Sequence, residues 1–247
     1  MSSKTLAIIL GAGPGTGQAI AQALARDGSS VALLARSETS LNQVADAVKA
    51  EGGHAVPFTC DASSPSSIRT TFSSILSHFP SHTLTRAYFN ATNPFLIKPF
   101  LELTQDDLKP GLELNVNGAV EFSQCVIREM LKNESGRKEG KGFLCFSGAT
   151  AATKGSAKFA GFAPAKFALR GLAQSLAREF GPQGIHVSHA IIDGLIDTDR
   201  IQGMMGKGEP DTRLDPNAIA DSLVWLSKQP KNCWTHELDL RPGVEKW

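Results

Sequence analysis

The chain has 247 residues, of which 41% are hydrophobic, and its formal net charge is +1 at pH 7. This length suits one large α/β domain or two small ones, and a balanced charge gives no reason to expect nucleic acid or an acidic membrane as a partner. No apolar run approaches membrane-spanning length, and the four widely spaced cysteines and six scattered histidines show no metal-binding pattern, so we expect a cytoplasmic protein with buried, reduced thiols and no metal site.

Short β-branched or leucine-rich runs alternate with longer amphipathic stretches along the whole chain. Strands are predicted at residues 5–10, 30–35, 54–60, 84–90, 142–147, 185–192 and 235–240. Helices are predicted at residues 17–28, 37–51, 66–79, 105–132, 162–180 and 217–228. No domain boundary or repeat interrupts the alternation, so we predict a single α/β domain over residues 1–247, a doubly wound parallel sheet of Rossmann type with helices on both faces.

A glycine-rich loop, LGAGPGTGQAI, lies between the first strand and the first helix and contains Gly11, Gly15 and Gly17. Glycine permits the tight turn and lets the backbone approach a pyrophosphate, whose charge then faces the amides at the helix N-terminus. This strand–turn–helix context predicts a dinucleotide site that includes Pro14 and Thr16. The alternative is a glycine-rich turn that binds no ligand.

The end of the second strand indicates which dinucleotide is bound. An NAD site usually has Asp or Glu there to accept the ribose 2′-hydroxyl, whereas this chain has Arg36 and Ser37 after Ala35. Arg36 can pair with a 2′-phosphate, and no carboxylate is present to repel it. The predicted cofactor is therefore NADP(H). The alternative interpretation of Arg36 is an ordinary surface charge.

Two segments are predicted to be loops. Residues 132–142 are charged and glycine-rich, which is typical of a solvated connection. Residues 194–215 have little periodicity and follow the sixth strand, at the edge of the sheet where ligands bind. We expect this second segment to be a substrate lid, and the alternative is a disordered surface loop.

By these features the sequence resembles the short-chain dehydrogenase/reductase family over residues 6–242. The residues that carry the resemblance are Gly11, Gly15 and Gly17, Asp61 followed by Ala62, Asn90 and Ala91, Asn115, Phe162 and Lys166 at the Tyr-x-x-x-Lys motif, and Asp193, Gly194 and Thr198 at the segment after the sixth strand. The resemblance implies cofactor contacts at Asp61, Ala62, Asn90, Ala91, Lys166, Gly194 and Thr198. It also implies a homodimer or homotetramer.

Members of the family use a tetrad of Ser, Tyr, Lys and Asn, in which Tyr protonates the substrate carbonyl. Here Phe162 stands at the Tyr position and has no proton to give. The Ser position falls on Ala149, with Ser147 and Thr150 on either side. The catalytic candidates are therefore Lys166, Asn115, Ser147 and Asp193, with Phe162 as the departure from the family.

Three interpretations are open at this point. The protein is an NADP(H)-dependent reductase of a small organic substrate that needs no acid, such as an iminium ion or a conjugated alkene, or one that uses another donor, such as Ser147, Thr150, Asp193 or a lid residue. Alternatively, the fold performs a non-redox reaction. In the third interpretation it is a regulatory nucleotide-binding protein. We expect the first.

Overall fold

In the computed structural model of the protein, residues 4–134 and 136–245 are described. The strands are β1 (Lys4–Leu10), β2 (Ser30–Ala35), β3 (His54–Thr59), β4 (His82–Phe89), β5 (Gly142–Gly148), β6 (Ile185–Ile192) and β7 (Glu237–Leu240). They form one sheet in the order β3-β2-β1-β4-β5-β6-β7, and all neighbouring strands are parallel.

Helices connect the strands on both faces. They are α1 (Thr16–Arg26), α2 (Glu38–Ala50), α3 (Pro65–His78), α4 (Gln105–Leu112), α5 (Ala119–Met130), α6 (Ala163–Phe180), α7 (Asp199–Met205) and α8 (Pro216–Leu226). Short polar side chains fix several of the helix starts: Ser37 accepts from Ser40 N, and Thr104 and Asp107 form a reciprocal capping box. The predicted parallel sheet with helices on both faces is thus confirmed.

Successive residues of β1 point into two separate cores. Leu6, Ile8 and Leu10 pack against residues of α3, α5 and α6 on one face. Ala7 and Ile9 pack with residues of α1, α2 and α8 on the other. A strand buried on both sides needs an uninterrupted apolar sequence, which is why β1 reads as a continuous hydrophobic run.

The structure corrects two predicted segments. The helix predicted at 105–132 is interrupted between α4 and α5 by a π-helical segment, Glu113–Gly118. The segment 194–215 is not a structureless loop, because it contains α7 and an isolated bridge between Ile196 and Leu214.

The structure bears on three expectations drawn from the composition: buried thiols, no membrane-spanning segment and no metal site. Cys60 and Cys145 are buried thiols, whereas Cys233 is exposed, so the expectation that the thiols are buried is wrong for that residue. Across residues 4–134 and 136–245, no helix is long and apolar enough to span a bilayer. No group of three or more His, Cys, Asp or Glu side chains in these ranges is arranged to hold a metal ion.

Candidate active site

The candidate site lies at the carboxyl edge of the sheet, where the strand order reverses. β1 has β2 on one side and β4 on the other, so the connections that leave β1 and β4 diverge at this edge. Such a reversal opens a crevice, which is where doubly wound sheets bind ligands. Gly11 follows β1 directly and Asn90 follows β4 directly, which brings two of the predicted cofactor residues to the crevice.

Two of the loop glycines are required by close backbone contacts. Gly11 has φ +101°, and a Cβ placed on it would lie 2.5 Å from the backbone nitrogen of Ala91. A side chain at Gly17 would overlap the carbonyl oxygen of Gly11. The loop is therefore folded tightly against the end of β4 and the start of α1.

The N-terminus of α1 has no side-chain cap, because its N-cap residue is Gly15. The first two amides of the helix have no acceptor among the described residues, so they are available to an anion from outside the chain. Pro14 is exposed and Thr16 is buried at the first position of the helix. The methyl group of Thr198 lies 2.7 Å from where a Cβ of Gly15 would be, so the predicted lid residue contacts the predicted phosphate loop.

The carboxyl end of β2 carries a cation and no carboxylate. Arg36 is exposed, and among the described residues it forms no ion pair within 4.0 Å. Ser37 accepts a hydrogen bond from Ser40 N at 3.2 Å, and no acceptor in the part of the chain that the structure describes takes its own hydroxyl proton. Both side chains can thus bind an anion at this position.

Asp61 lies after β3 in a turn that holds its carboxylate. Its Oδ1 accepts hydrogen bonds from Ser63 N at 3.0 Å and Ser63 Oγ at 2.7 Å. These hydrogen bonds lower the pKa of Asp61, with Arg36 adding a smaller electrostatic effect. The neighbouring Ala62 is fixed because its carbonyl lies against Gly118, where any side chain would overlap it. Asp61 therefore stays ionised close to Arg36.

Asn90 joins the glycine loop to β5. Its side-chain nitrogen donates to Gly11 O at 3.0 Å, and its side-chain oxygen accepts from Ser147 Oγ at 2.8 Å. Ser147 is a candidate for the family serine, but its proton is used in this internal bond. Together, the side chains of Asn90 and Ser147 connect the glycine loop after β1 to the end of β5, and we call this pair the clamp.

Asp193 is neutralised by a residue that sequence reasoning did not find. Arg241 Nη1 lies 2.7 Å from Asp193 Oδ2, and Thr150 Oγ1 donates to Asp193 Oδ1. Asp193 is only 7% exposed, so it forms a buried ion pair. No sequence signal linked these residues, because Arg241 follows β7, 48 positions after Asp193. The adjacent Gly194 has φ +148°, and a Cβ there would lie 2.9 Å from Pro242.

Asn115 lies in the π-helical segment and is fully buried. Its side-chain nitrogen donates to Asn93 Oδ1 at 2.9 Å and to Gly111 O at 3.1 Å. Its Oδ1 has no hydrogen-bond partner among the described residues. A buried acceptor is costly unless a donor reaches it, so Asn115 Oδ1 can accept a hydrogen bond from a water or a ligand. Asn93 was missed from sequence, although NATNP places it three residues after Asn90.

Phe162 and Lys166 meet at the start of α6. Phe162 is 1% exposed, and its ring packs on Phe95 with the centroids 4.8 Å apart. Lys166 is 2% exposed, and its Nζ lies 5.8 Å from the centre of the Phe162 ring. Burial lowers the pKa of Lys166 to about 8. The aromatic and the lysine therefore lie close together at the start of α6, with both side chains buried.

A second polar group lies near Lys166 and was not predicted. Arg170, one turn along α6, makes two 2.7 Å hydrogen bonds to Glu237 of β7. Glu237 Oε2 also lies 3.2 Å from Nδ1 of His189, a fully buried residue of β6. Burial lowers the pKa of His189 to about 4, so the imidazole is neutral. Its Nε2 has no partner among the described residues.

The fold and this crevice define the class of doubly wound α/β proteins. The chain belongs to the short-chain dehydrogenase family, because the family model described as short chain dehydrogenase matches residues 5–206. It is accordingly an oxidoreductase of the short-chain dehydrogenase type. The predicted resemblance is confirmed.

Sequence relatives agree with this assignment. A 3-oxoacyl-acyl-carrier-protein reductase of Pseudomonas aeruginosa is 30% identical over 194 residues, which cover 78% of this chain and 74% of the relative. An uncharacterized oxidoreductase of Staphylococcus epidermidis is 25% identical over 240 residues, covering 97% of both chains.

Solved structures give the same picture. A short-chain dehydrogenase from Rhodopseudomonas palustris superimposes with a TM-score of 0.80 at 30% identity, covering 96% of this chain and 98% of the other. An alcohol dehydrogenase from Thermococcus sibiricus, complexed with 5-hydroxy-NADP, gives a TM-score of 0.83 at 26% identity, with 98% of each chain covered.

Proposed function

We propose that the protein is an NADP(H)-dependent reductase that transfers a hydride to a small organic substrate without the family tyrosine. The observation that carries the choice of cofactor is Arg36, an exposed cation with no ion-pair partner among the described residues. It stands at the carboxyl end of β2, where a carboxylate would be needed to select NAD(H). The NADP-complexed relative from Thermococcus sibiricus supports the same choice.

The residues present fit such a cofactor. The uncapped N-terminus of α1 would hold the pyrophosphate, and Arg36 with Ser37 would hold the 2′-phosphate. Asp61 and Ala62 would contact the adenine, with Asn90, Ala91, Gly194 and Thr198 along the rest of the dinucleotide. Lys166 would hold the nicotinamide ribose, and the bound reduced dinucleotide supplies the hydride.

The surface next to Lys166 favours an apolar substrate. Phe162 is buried beneath Phe95, whose ring is 70% exposed although it packs on Phe162. The polar side chains nearby, Ser147 and Asp193, are occupied by Asn90 and Arg241. Because these groups are already engaged and cannot orient a polar ligand, we propose a substrate with an aromatic or aliphatic body and one reducible group.

Titration of intrinsic fluorescence with NADPH and with NADH tests the cofactor proposal. Arg36→Asp should weaken NADPH binding about 10- to 100-fold, because a charge-assisted pair contributes about 1.5–3 kcal/mol, and should change NADH binding much less. Arg178→Asp, an exposed arginine at the far end of α6, is the matched control and should leave both affinities unchanged. Equal weakening of NADPH and NADH by Arg36→Asp would refute the 2′-phosphate assignment.

Oxidation of NADPH, followed by its absorbance with aromatic ketones, conjugated enones and cyclic iminium ions, tests the reaction. Turnover with any of the three supports a reductase. One alternative function is a nucleotide-binding protein without redox turnover, the competitor of the reductase proposal. The buried Phe162 favours it, because the family acid is missing. Tight NADPH binding with no turnover on any substrate would select that competitor, and a failure to bind NADPH would overturn both.

A further inference from the structure

Reduction of a carbonyl group requires a proton donor, and Phe162 has no proton to give. Hydride transfer to the carbon leaves an alkoxide, and a positioned acid accelerates this step by about 10²–10⁴-fold. The alternative proton donors suggested by the sequence already form hydrogen bonds or ion pairs within the fold. Ser147 donates its proton to Asn90, and Thr150 donates to Asp193. The Asp193 carboxylate is paired with Arg241, so it accepts hydrogen bonds and has no proton to offer.

The other buried acids do not serve either. The only tyrosine of the chain, Tyr88, packs in the core on the opposite face of the sheet from α6, and burial raises its pKa. Cys145 lies in that same core, where burial raises its pKa to about 12. His189 is on the α6 side, but burial lowers its pKa and keeps its imidazole neutral. None of the three can protonate an alkoxide in the crevice near pH 7.

Lys166 differs from all of these groups. It is 2% exposed, yet among the described residues it makes no hydrogen bond and no ion pair within 4.0 Å. Arg170, one turn away on the same helix, binds both oxygens of Glu237 and so neutralises the nearby carboxylate. Burying an ammonium without a partner is costly, and such a group is poised to lose its proton.

We propose that the Lys166 ammonium is itself the acid, delivering its proton to the substrate oxygen directly or through one water while still holding the nicotinamide ribose. This inference rests on the proposed function. A bound reduced dinucleotide would supply the hydride that forms the C–H bond, and the carbonyl π electrons would move to oxygen. A proton from Nζ forms the O–H bond, which leaves the oxidised dinucleotide and a neutral amine. Solvent then reprotonates the amine.

Burial of Lys166 sets the direction of the pH dependence, because the carboxylates on the elements packed against α6 are already paired. On its own helix lies Arg170, bound to Glu237 of β7, and β6 contributes the neutral His189 and the paired Asp193. The π-helical segment contributes Glu113, which lies 3.9 Å from Lys109. Each of these carboxylates already has a cation, and burial lowers the pKa of Lys166 to about 8. The acid form is required, so the rate should fall as the pH rises through about 8.

Lys166→Arg tests the proposal, because arginine keeps the positive charge and hydrogen-bond donors but cannot release a proton in this pH range. With NADPH and acetophenone, we expect turnover to fall about 10²–10⁴-fold, NADPH affinity to change less than tenfold, and the decline above pH 8 to disappear. Lys49→Arg, an exposed lysine of α2, is the matched control and should retain the wild-type profile. Turnover within threefold of wild type in Lys166→Arg would overturn the proposal.

A second readout needs no turnover and no cofactor. In the ¹³C spectrum of protein labelled at lysine Cε, the resonance absent from Lys166→Arg belongs to Lys166. We expect it to titrate near pH 8, well below the value of about 10.4 for lysine in a model peptide. Titration of this resonance together with the other lysines would overturn the proposal even if the protein proves to be a reductase.

The substrates separate the failure of this proposal from the failure of the proposed function. Turnover of an iminium ion without turnover of ketones leaves the reductase intact and overturns Lys166 as the acid, because an iminium carbon accepts hydride without a proton. Absence of turnover on every substrate overturns the reductase, and Lys166 as its acid falls with it. Ketone turnover with the decline above pH 8 in wild type and its loss in Lys166→Arg supports both.

Discussion

Ser147 and Asp193 are both held by partners within the fold, since Ser147 donates to Asn90 and Asp193 is paired with Arg241. The sequence could name the glycines, Asp61, Asn115 and Lys166 as candidates, because each has a fixed spacing from a strand or helix. The hydrogen bond of Ser147 and the ion pair of Asp193 could not be predicted. Their partners, Asn90 and Arg241, lie 57 and 48 positions away in the chain. Residue type indicates which hydrogen bonds are possible, and only the fold decides which are formed.

Ser147→Ala distinguishes a structural hydroxyl from a catalytic one. The 2.8 Å bond to Asn90 would be lost, and we expect a loss of about 0.5–1.5 kcal/mol in the free energy of unfolding, measured by urea denaturation. NADPH-dependent turnover should fall less than tenfold, because the clamp retains the bond from Asn90 to Gly11.

The control for this variant is Ser77→Ala, an exposed serine of α3 whose hydroxyl bonds within its own helix. It should change neither stability nor turnover appreciably. If Ser147→Ala instead slows turnover by about two orders of magnitude or more while stability is unchanged, Ser147 has a catalytic part.

Among the elements, the strands and most helices follow the predicted pattern, because their apolar periodicity is local. The π-helical segment Glu113–Gly118 was not predicted, since the run 105–132 reads as one helix. Its contacts are tertiary: Asn115 bonds to Asn93, and Gly118 lies against the carbonyl of Ala62. The helix α7 was missed for the related reason that its short sequence carries no clear periodicity, and Thr198 caps it locally.

Two buried histidines of β6 predict how the free energy of unfolding depends on pH. His186 and His189 are both buried, and burial lowers the pKa of each to about 4, compared with 6.5 in an unfolded chain. Below pH 6.5 the unfolded state therefore binds more protons than the folded state, so stability falls as the pH is lowered toward 4. Each histidine contributes a slope of up to about 1.4 kcal/mol per pH unit.

Urea denaturation between pH 7 and pH 5 measures this slope, and in that window the carboxylates with lowered pKa, such as Asp61 and Glu237, contribute little. His186→Gln and His189→Gln should each flatten the dependence, and the double variant should flatten it further. Lys166 adds nothing here, because with a pKa of about 8 it is protonated in both states below pH 7. The same slope in wild type and in both single variants would rule out the histidines as its source.

For the whole molecule, the fold class follows from the alternation of strands and helices, but the assembly does not. The resemblance to the family led us to expect a homodimer or homotetramer, and that expectation remains a prediction. Phe167 of α6 is 43% exposed and Val120 of α5 is 37% exposed. Both helices pack against the same face of the sheet, so these side chains lie in one layer. Scattered exposed apolar residues are ordinary in monomers, and only a direct measurement of mass decides.

Size-exclusion chromatography with light scattering should give two or four times the chain mass of 26.3 kDa. Phe167→Glu combined with Val120→Glu should reduce the mass to that of one chain, because buried charges without partners would oppose association. Trp225→Glu is the matched control: Trp225 is 56% exposed on α8, which covers the other face, and its replacement should leave the assembly intact. A single-chain mass for the wild type at micromolar concentration would show the expectation to be wrong. Dissociation by Trp225→Glu alone would place the interface on the α8 face.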